Sequence, residues 1–333
     1  MSTDTTTRIG IVGLGTIGRI HATRLARLDC DLLGADLDAA AREAFAAEFD
    51  ATTCADHDAL LEAGVDAVIV GVPNRFHEEI AVDALEAGVD VLLEKPMAHS
   101  LESAERIAAA ARRSDGFCAV GFTMRFAAPT ERVVSLRDDG RFGSLSHVHV
   151  DYLRRGGVPR NGGWFVDEEL AGGGVLMDLG VHVIDLALHL LEYPAVVEVS
   201  GQVRSEFGEY AVDDSASAFL RCSDGQTISV ETAWHGTAEP SRTCVLRGTE
   251  AGARFGVTDS ELTLVDADPD ADPETVSVDD VDIYDREAEA FLEMVAGTRA
   301  PSGTVEEALA VQRVLAAIYE SSERGRAVAI EEL

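Results

Sequence analysis

The sequence predicts an α/β protein in two parts, a parallel sheet with helices on both faces followed by a largely antiparallel sheet. Up to about residue 121, short apolar runs alternate with alanine-rich amphipathic segments, which is the rhythm of β–α–β units. After about residue 145, longer β-like segments follow one another, with turn signals such as Ser223-Asp224-Gly225 between them. We therefore expect two domains, residues 1–122 and 123–333.

The individual elements follow from local pattern. In the first part, short apolar runs predict strands at 9–12, 32–35, 67–70, 91–93 and 118–120, and the clearest helices are 56–64 and 75–87, with Gly64 and Gly88 as caps. In the second part, strands are predicted at 146–153, 196–207, 216–221, 227–234, 243–247 and 262–265. An apolar helix is predicted at 174–191, and helices at 282–297 and 304–324 are candidates to pack back on the first domain. The acidic stretch 266–272 predicts a solvated loop.

The charge of the chain excludes two classes of partner. It carries 60 acidic and 27 basic side chains, a formal charge of -33, which repels nucleic acid and anionic lipid surfaces. Its 46% hydrophobic residues argue against disorder. An excess of carboxylates with a single lysine is typical of proteins from a salt-rich cytoplasm, where ions screen self-repulsion. We predict a halophilic protein.

Cysteine usage and the amino terminus indicate the compartment. The five cysteines have no paired spacing, which predicts reduced thiols and indicates neither a disulfide framework nor a zinc knuckle. The amino terminus is short and polar, and no apolar run is expected to reach membrane-spanning length. We therefore expect a soluble, cytoplasmic protein that is not exported.

A glycine-rich hexapeptide follows the first predicted strand and begins a helix. In Gly13-Leu14-Gly15-Thr16-Ile17-Gly18, the first glycine permits a tight turn, the second lets a pyrophosphate approach, and the third lets helix pack on strand. The helix amino terminus offers unpaired N–H groups to phosphates. Framed by strand and helix, this pattern predicts a dinucleotide site that includes Gly13, Gly15, Thr16, Ile17 and Gly18.

Two further segments extend this predicted site. Asp36 ends the second strand 18 residues after Gly18, near the spacing expected of an acid that binds the adenosine ribose hydroxyls. A carboxylate there repels a 2′-phosphate, and Leu37 and Asp38 provide no cation, so NAD is predicted over NADP. Asn74 and His77 follow the carboxyl end of another strand and are candidates for the nicotinamide side. A helix-start role with satisfied hydrogen bonds is the alternative for His77.

Lys95 is the one lysine of the chain, beside 26 arginines, and it lies in Glu94-Lys95-Pro96, a segment that directly follows a predicted strand. An ammonium is a compact charge whose proton affinity responds to its surroundings, whereas guanidinium is planar and stays protonated. A lysine retained where arginine is otherwise used throughout indicates a function that arginine does not serve. Lys95 is therefore a candidate catalytic residue.

A polar stripe runs along the apolar helix predicted at 174–191. Asp178, His182, Asp185 and His189 are spaced by four, three and four residues, so they share one helix face. We predict that this face lines a cavity or a packed polar seam, a face turned to solvent being the alternative. Oxidation of an alcohol needs a base near neutral pKa, which is the role that histidine suits.

The proposed assignment gives each candidate a role. His182 is the base, and Asp178 orients its imidazole or holds a substrate hydroxyl. Lys95 stabilises the developing alkoxide or shifts the proton affinity of the neighbouring groups. An aspartate and a histidine four residues apart are too few for a zinc site, so no metal is expected. A serine hydrolase is not indicated, because the Gly-x-Ser-x-Gly pattern is absent from the sequence.

These motifs together resemble the Gfo/Idh/MocA oxidoreductases. The resemblance lies in the glycine hexapeptide, in Glu94-Lys95-Pro96, and in the run from Gly172 to Asp185. It implies an amino-terminal Rossmann domain and a carboxy-terminal α/β domain whose large open sheet forms an oligomer, here a homodimer or homotetramer. It also implies that Lys95, Asp178 and His182 are catalytic, and that Glu94 and Asn74 lie near the nicotinamide.

The family resemblance implies a substrate class as well. Its members oxidise or reduce a carbon of a sugar or cyclic polyol such as an aldose or an inositol. We expect substrate contacts from the second domain, with Arg125, Tyr152, Arg154 and Trp164 as candidates and packing as the alternative for each. An NAD-dependent glycosidase that oxidises its substrate transiently, and a non-catalytic NAD or sugar sensor, are the alternative functions.

Overall fold

The computed structural model describes residues 6–158, 163–206, 210–236 and 239–333. Within these ranges the chain forms two compact units. The first comprises residues 6–121 and Tyr284–Leu309. The second comprises Phe122–Ile283 and Ala310–Leu333.

Strands and helices alternate through the first 121 residues. They are β1 (Thr7–Val12), α1 (Thr16–Leu25), β2 (Cys30–Ala35), α2 (Ala39–Phe49), β3 (Thr52–Cys54), α3 (His57–Glu62), β4 (Ala67–Val70), α4 (His77–Glu86), β5 (Asp90–Leu93), α5 (Leu101–Ala111) and β6 (Cys118–Val120). The rest of the chain is mainly β. It contains α6 (Ala128–Asp138), β7 (Leu145–Leu153), α7 (Glu168–Ala171), α8 (Val181–Leu190), β8 (Val196–Arg204), β9 (Ser215–Cys222), β10 (Thr227–Ala233), β11 (Thr243–Gly248), β12 (Ala251–Gly256), β13 (Glu261–Asp266), β14 (Glu274–Ser277), α9 (Ile283–Val295), α10 (Val305–Arg324) and β15 (Val328–Ala329).

The first unit is a doubly wound parallel sheet, as predicted. Its strand order is β3-β2-β1-β4-β5-β6, and every pairing is parallel. The order reverses between β1 and β4, and ligands of such sheets bind at the carboxyl ends of the strands at this switch point. The glycine loop follows β1 and the segment with Asn74 follows β4, so both lie at the switch point. On one side of the sheet, Phe291 and Met294 of α9 are buried in a core with Ile9 and Ile11.

The second unit contains a nine-stranded sheet of order β14-β13-β12-β11-β7-β10-β9-β8-β15. Its pairings are antiparallel except for β7 with β10, which are parallel. Alternate residues of the central strands are buried, such as Val148 and Val150 of β7, while their neighbours are partly exposed. One face of the sheet therefore packs against the core and the other is open, and Phe219 on β9 is 48% exposed. This confirms the predicted, mainly antiparallel sheet.

The predictions failed where the local pattern is weak. The short edge strand β3 and the glycine-containing β12 were not predicted. β3 has only three residues, and the alternating positions of β12 are mostly alanine and glycine, which give a weak apolar signal. The predicted strand 196–207 ends at Arg204, and Phe207 lies outside the described residues. The helix predicted at 174–191 is not one continuous α-helix, since Leu176–Gly180 form a π-helical turn before α8 begins.

The helical stretch Glu168–Leu190 corrects a further expectation. By length and composition alone it is apolar enough to cross a membrane, whereas no run of that length was expected from the sequence. However, 83% of its apolar window is buried inside the structure. The core helix of a soluble protein has this property, so the stretch is weak evidence for a membrane span.

Candidate active site

The glycine loop in the first unit has the shape that a pyrophosphate needs. Gly13 has φ 92°, a conformation that favours glycine, and a Cβ at Gly18 would lie 2.0 Å from the carbonyl oxygen of Gly13. A Cβ at Gly15 would meet no atom within 4 Å, so the space beside this residue is open. Thr16 is exposed and Ile17 half-buried at the start of α1. The loop therefore fits a dinucleotide, with open space at the helix amino terminus where phosphate binds.

Asp36 is tied to this loop by backbone hydrogen bonds. The backbone N–H of Leu14 donates to its Oδ2 at 2.8 Å, and the N–H of Asp38 donates to its Oδ1 at 2.9 Å. Neither of the two residues after Asp36 is a cation, but the structure brings one from α2. Nη1 of Arg42 donates to the carbonyl oxygens of Asp36 and Leu37 at 2.7 and 3.2 Å. Both an anion and a cation therefore lie at the end of β2.

His77 has the structural role that was its alternative, that of a residue at a helix start with satisfied hydrogen bonds. It is fully buried at the start of α4, with Nδ1 3.1 Å from the carbonyl oxygen of Pro96 and Nε2 3.0 Å from that of Val72. Burial lowers the pKa of His77 below its usual value, although both carbonyl contacts oppose this. The imidazole thus connects the loop after β4 to the segment after Lys95. Asn74, three residues earlier, is also buried.

Glu94 and Lys95 follow β5, and Glu94 belongs to a buried cluster of ionisable groups. Nε2 of His21 lies 2.7 Å from Oε1 of Glu94, and the N–H of Lys95 donates to Oε2 of Glu94 at 3.2 Å. Burial opposes both charges of the pair. The hydrogen bond between them and the attraction of opposite charges together outweigh it, so the pKa of His21 is raised and that of Glu94 is lowered. Lys95 is half-exposed, and the peptide bond between Lys95 and Pro96 is cis.

Glu287 of α9 completes this cluster and was not predicted. Its side chain is 1% exposed, and within the described ranges neither carboxyl oxygen has a hydrogen-bond partner. A Cβ added at Gly121 would lie 3.5 Å from Oε1 of Glu287 and 3.7 Å from the carboxyl carbon of Glu94, so the two acids border the same small space. Burial raises the pKa of Glu287 to about 8. Glu287 is therefore protonated at neutral pH, beside an ionised Glu94.

Asp178 in the second unit is held in a defined orientation. It is 8% exposed, on the π-helical turn, and the indole Nε1 of Trp234 donates to its Oδ2 at 2.9 Å. Nη1 of Arg154 lies 3.7 Å from the same oxygen. His182 follows four residues later on α8 and is half-buried. A buried carboxylate is costly unless it is paired, and here a neutral donor and a cation share that task.

The π-helical turn is itself anchored by Asp213. The carboxylate of Asp213 accepts hydrogen bonds from the N–H groups of Gly174 and Leu176 and from the hydroxyl of Tyr319, each at 2.8 Å. Gly174 is required by close approach, because a Cβ there would lie 1.9 Å from the carbonyl oxygen of Asp213. Burial raises the pKa of Asp213, against the effect of its three donors. These contacts fix the turn that carries Asp178.

One of the predicted substrate residues, Arg154, lies beside Asp178 and contacts a second one, Tyr152. Nη2 of Arg154 is 3.2 Å from the hydroxyl of Tyr152, and its guanidinium carbon is 5.3 Å from the centre of the Tyr152 ring. The guanidinium carbon of Arg242 lies 4.3 Å from the same ring centre. Tyr152 is buried, while Arg154 is partly exposed. The structure thus groups Arg154 and Tyr152 with Asp178 and adds Arg242.

Arg125 packs inside the second unit. Its Nε and Nη2 donate to the carboxylate of Asp185 at 3.0 and 2.6 Å, and Nη2 also contacts the hydroxyl of Tyr193. Both members of this ion pair are almost fully buried. This is the packing alternative for Arg125, so we do not retain it as a substrate contact. It also shows that part of the polar stripe on α8 is a packed seam. Trp164 stacks on Phe165 with ring centres 4.0 Å apart, and its substrate role stays a prediction.

Several residues of these clusters were missed in the sequence. Trp234 was assigned only to a strand, and its position just after the last strand residue is a weak signal for a site. Arg42 is only six residues after Asp36, but it was missed because only the two residues directly after Asp36 were considered. Arg242, Asp213 and Glu287 lie far along the chain from the motifs, and no spacing rule connects them. Within the described ranges, one further group brings metal-ligand atoms within 4.8 Å of one another, namely His57, Asp58 and Asp83. Exposed acidic groups commonly do so without an ion, so we assign no metal there.

The fold and these clusters define the class of protein, an oxidoreductase that binds a nicotinamide dinucleotide. Residues 7–122 match the model of the oxidoreductase family with an NAD-binding Rossmann fold, and residues 130–254 match the GFO/IDH/MocA C-terminal domain. The chain belongs to the Gfo/Idh/MocA oxidoreductase family. The resemblance drawn from the motifs is thereby confirmed.

Named relatives extend over nearly the whole chain. D-glucoside 3-dehydrogenase of Escherichia coli K12 is 31% identical, with 96% of this chain and 97% of the relative covered. D-xylose 1-dehydrogenase (NADP(+)) 2 of Haloferax volcanii is 29% identical, with 97% and 98% covered. Among solved structures, levoglucosan dehydrogenase in complex with NADH and levoglucosan has a TM-score of 0.90 at 21% identity, covering 98% of this chain and 100% of that one. This last likeness concerns the fold alone.

Proposed function

We propose that this oxidoreductase interconverts a hydroxyl and a carbonyl group on a sugar or cyclic polyol, with Lys95, Asp178 and His182 as catalytic residues. The observation that carries the proposal is the setting of Asp178, a buried carboxylate held by Trp234 and by Arg154. A side chain fixed in this way is preorganised to orient a substrate hydroxyl or an imidazole. The relatives named above act on a D-glucoside and on D-xylose, which supports a sugar as the substrate.

In the direction of oxidation, the residues of this chain manage the proton and the charge. A bound dinucleotide supplies the hydride acceptor. As the C–H hydride departs, an imidazole nitrogen of His182 takes the proton from the substrate hydroxyl, and the ammonium of Lys95 stabilises the negative charge that develops on the oxygen. The products are a carbonyl compound, the reduced dinucleotide and one proton. In the reverse direction the same groups return the proton.

We further propose that NAD is preferred over NADP. The carboxylate of Asp36 is fixed at the end of β2 by two backbone N–H groups, and its charge opposes a 2′-phosphate at that position. The positive charge of Arg42 reduces the repulsion between Asp36 and a 2′-phosphate. Its guanidinium is, however, already engaged with the backbone carbonyl oxygens of Asp36 and Leu37. The carboxylate therefore decides the preference, and the cation limits its strength.

We also propose that the protein is a cytoplasmic homodimer or homotetramer. On the open face of the nine-stranded sheet, Phe219 of β9 is 48% exposed and Val265 of β13 is 46% exposed. A sheet face left open within one chain is a natural surface for contact with a second copy of that chain. Light scattering on the purified chain measures the subunit number, and a monomer at all concentrations would contradict this part of the proposal.

A substrate screen tests the function. Aldoses, inositols and sugar acids are each mixed with NAD or NADP in molar salt, and the absorbance of the reduced nicotinamide is followed. We expect reduction with at least one sugar or polyol, and its loss in Asp178→Asn and His182→Ala. Absence of reduction with every compound would refute the proposal. Cleavage of a chromogenic glycoside without net reduction would support a glycosidase instead.

A further inference from the structure

We propose that Arg242 and Arg154 form a subsite for an anionic group of the substrate, so that the preferred substrate is a sugar carrying a carboxylate or a phosphate. This inference rests on the proposed function, since it names the substrate class of the same site. The two guanidinium groups share the ring of Tyr152, and Arg154 also contacts Asp178.

The position of Arg242 is fixed by strand pairing. Leu153 and Ser241 form an antiparallel bridge, with N–H to carbonyl distances of 2.8 and 3.0 Å in the two directions. This bridge places Arg242 across from Tyr152, where side chains of neighbouring strands meet. On the other side of β7, the N–H of Arg154 donates to the carbonyl oxygen of Ala233 at 2.8 Å, next to Trp234. The adjacent strands β11, β7 and β10 therefore position Arg242, Arg154 and Trp234, the last of which donates a hydrogen bond to Asp178.

The charge balance at this site is unusual for the chain. Most arginines that make side-chain contacts within the described ranges are paired with acids, as Arg106 is with Glu78 and Glu102. Within the described ranges, Arg242 has no carboxylate within ion-pair distance, and Arg154 has that of Asp178 alone, at 3.7 Å. Two guanidinium groups beside one carboxylate leave an excess positive charge. The protein as a whole has a formal charge of -33, so an excess of positive charge at the proposed active site indicates that this site binds an anionic ligand.

The chemistry of guanidinium identifies the anion. Its planar fork of N–H donors matches the oxygens of a carboxylate or a phosphate, and a guanidinium stacked on an aromatic ring keeps its edge donors available. Arg154 retains 35% exposure of its side chain, so a ligand can reach it. Because Arg154 also approaches Asp178, an anion bound here would be carried on a carbon other than the one being oxidised. A sugar acid and a sugar phosphate share this chemistry.

The test compares neutral and anionic forms of one sugar at fixed ionic strength, because salt screens exposed charges. Glucose, glucuronate and glucose 6-phosphate are assayed with NAD, and the ratio of kcat/KM for each anion to that for glucose is measured. We expect at least one ratio above ten. Arg242→Gln should lower that ratio at least tenfold, and Arg242→Lys, which keeps the charge but loses the fork, should lower it less. Arg254→Gln, at an exposed position of β12, is the matched control and should leave it unchanged.

The results separate the two proposals. Ratios near one in the wild type, or an Arg242→Gln ratio equal to that of the control, would overturn the anionic subsite while sugar oxidation stands. If none of these three compounds is oxidised, the proposed function is judged by the wider substrate screen, and the subsite is judged by binding of glucuronate and glucose 6-phosphate through tryptophan fluorescence. Binding weakened at least tenfold by Arg242→Gln but not by Arg254→Gln supports the subsite, and equal binding refutes it.

Circular dichroism verifies the fold of each variant, and Arg154→Gln replaces Arg242→Gln if the latter does not fold.

Discussion

Trp234 donates a 2.9 Å hydrogen bond from its indole Nε1 to Oδ2 of Asp178, and both side chains are buried. A buried hydrogen bond to a charged group contributes about 1.5–3 kcal/mol. We predict that Trp234→Phe lowers kcat by about 10- to 100-fold, because each factor of ten corresponds to about 1.4 kcal/mol. A double-mutant cycle with Asp178→Asn is the control. The effect of Trp234→Phe should nearly vanish in the Asp178→Asn background, and full additivity of the two changes would show that Trp234 acts through packing alone.

The single lysine makes an exchange experiment possible. We predict that Lys95→Arg lowers kcat by roughly 100-fold or more, the range expected when a positioned polar group is lost from the reacting atoms. The charge is kept, but the compact ammonium is replaced by a larger planar group. Arg113→Lys, at an exposed position, is the reciprocal control and should keep wild-type turnover. Steady-state kinetics measure both variants, and unchanged turnover in Lys95→Arg would remove this residue from catalysis.

The dinucleotide preference should depend on Asp36 and Arg42 together. Replacing Asp36 with serine removes the charge that opposes a 2′-phosphate and leaves Arg42, whose guanidinium is already at the end of β2. We predict that Asp36→Ser raises the ratio of kcat/KM with NADP to that with NAD by about tenfold or more, which corresponds to about 1.4 kcal/mol.

The double variant Asp36→Ser, Arg42→Gln tests the part played by the cation. It should lose most of that gain, because neither charge remains. The same ratio in wild type and Asp36→Ser would contradict the role of the carboxylate. A gain that persists in the double variant would contradict the role of Arg42.

The buried acid Glu287 predicts a pH dependence of stability. An acid whose pKa rises from 4.5 to about 8 on folding stays protonated in the native state while the unfolded chain releases its proton, so this group lowers stability as the pH increases from about 4.5 to about 8. One pKa unit corresponds to about 1.4 kcal/mol, so the loss is on the order of a few kcal/mol at pH 8.

We predict that Glu287→Gln, which cannot ionise, raises the free energy of unfolding at pH 8 relative to wild type and flattens its dependence over that range. Denaturant unfolding at several pH values measures this. Glu289→Gln, at an exposed position of the same helix, should follow the wild-type curve. Parallel curves for wild type and Glu287→Gln would show that Glu287 does not hold its proton in the folded protein.

The acidic composition predicts a requirement for salt. Ions at molar concentration screen the mutual repulsion of surface carboxylates, because the Debye length falls to about 3 Å at 1 M. We predict that the melting temperature rises markedly between low and molar salt. Thermal unfolding followed by circular dichroism checks this, with equal melting temperatures at the two concentrations as the contradicting result.

The sequence by itself determined the parallel sheet, the glycine loop, Asp36 and the Glu94-Lys95-Pro96 and Asp178 to Asp185 motifs. These features depend on local order: apolar periodicity sets strands and helices, and a strand, glycines and a helix in succession give a phosphate loop. The tertiary structure alone decided that Trp234 and Arg154 hold Asp178, that Asp213 anchors the π-helical turn, that Arg125 is a packing residue, and that Glu287 joins His21 and Glu94. The physical reason is that these contacts join residues from about 25 to 270 positions apart in the chain, brought together by sheet register and core packing rather than by spacing along one element.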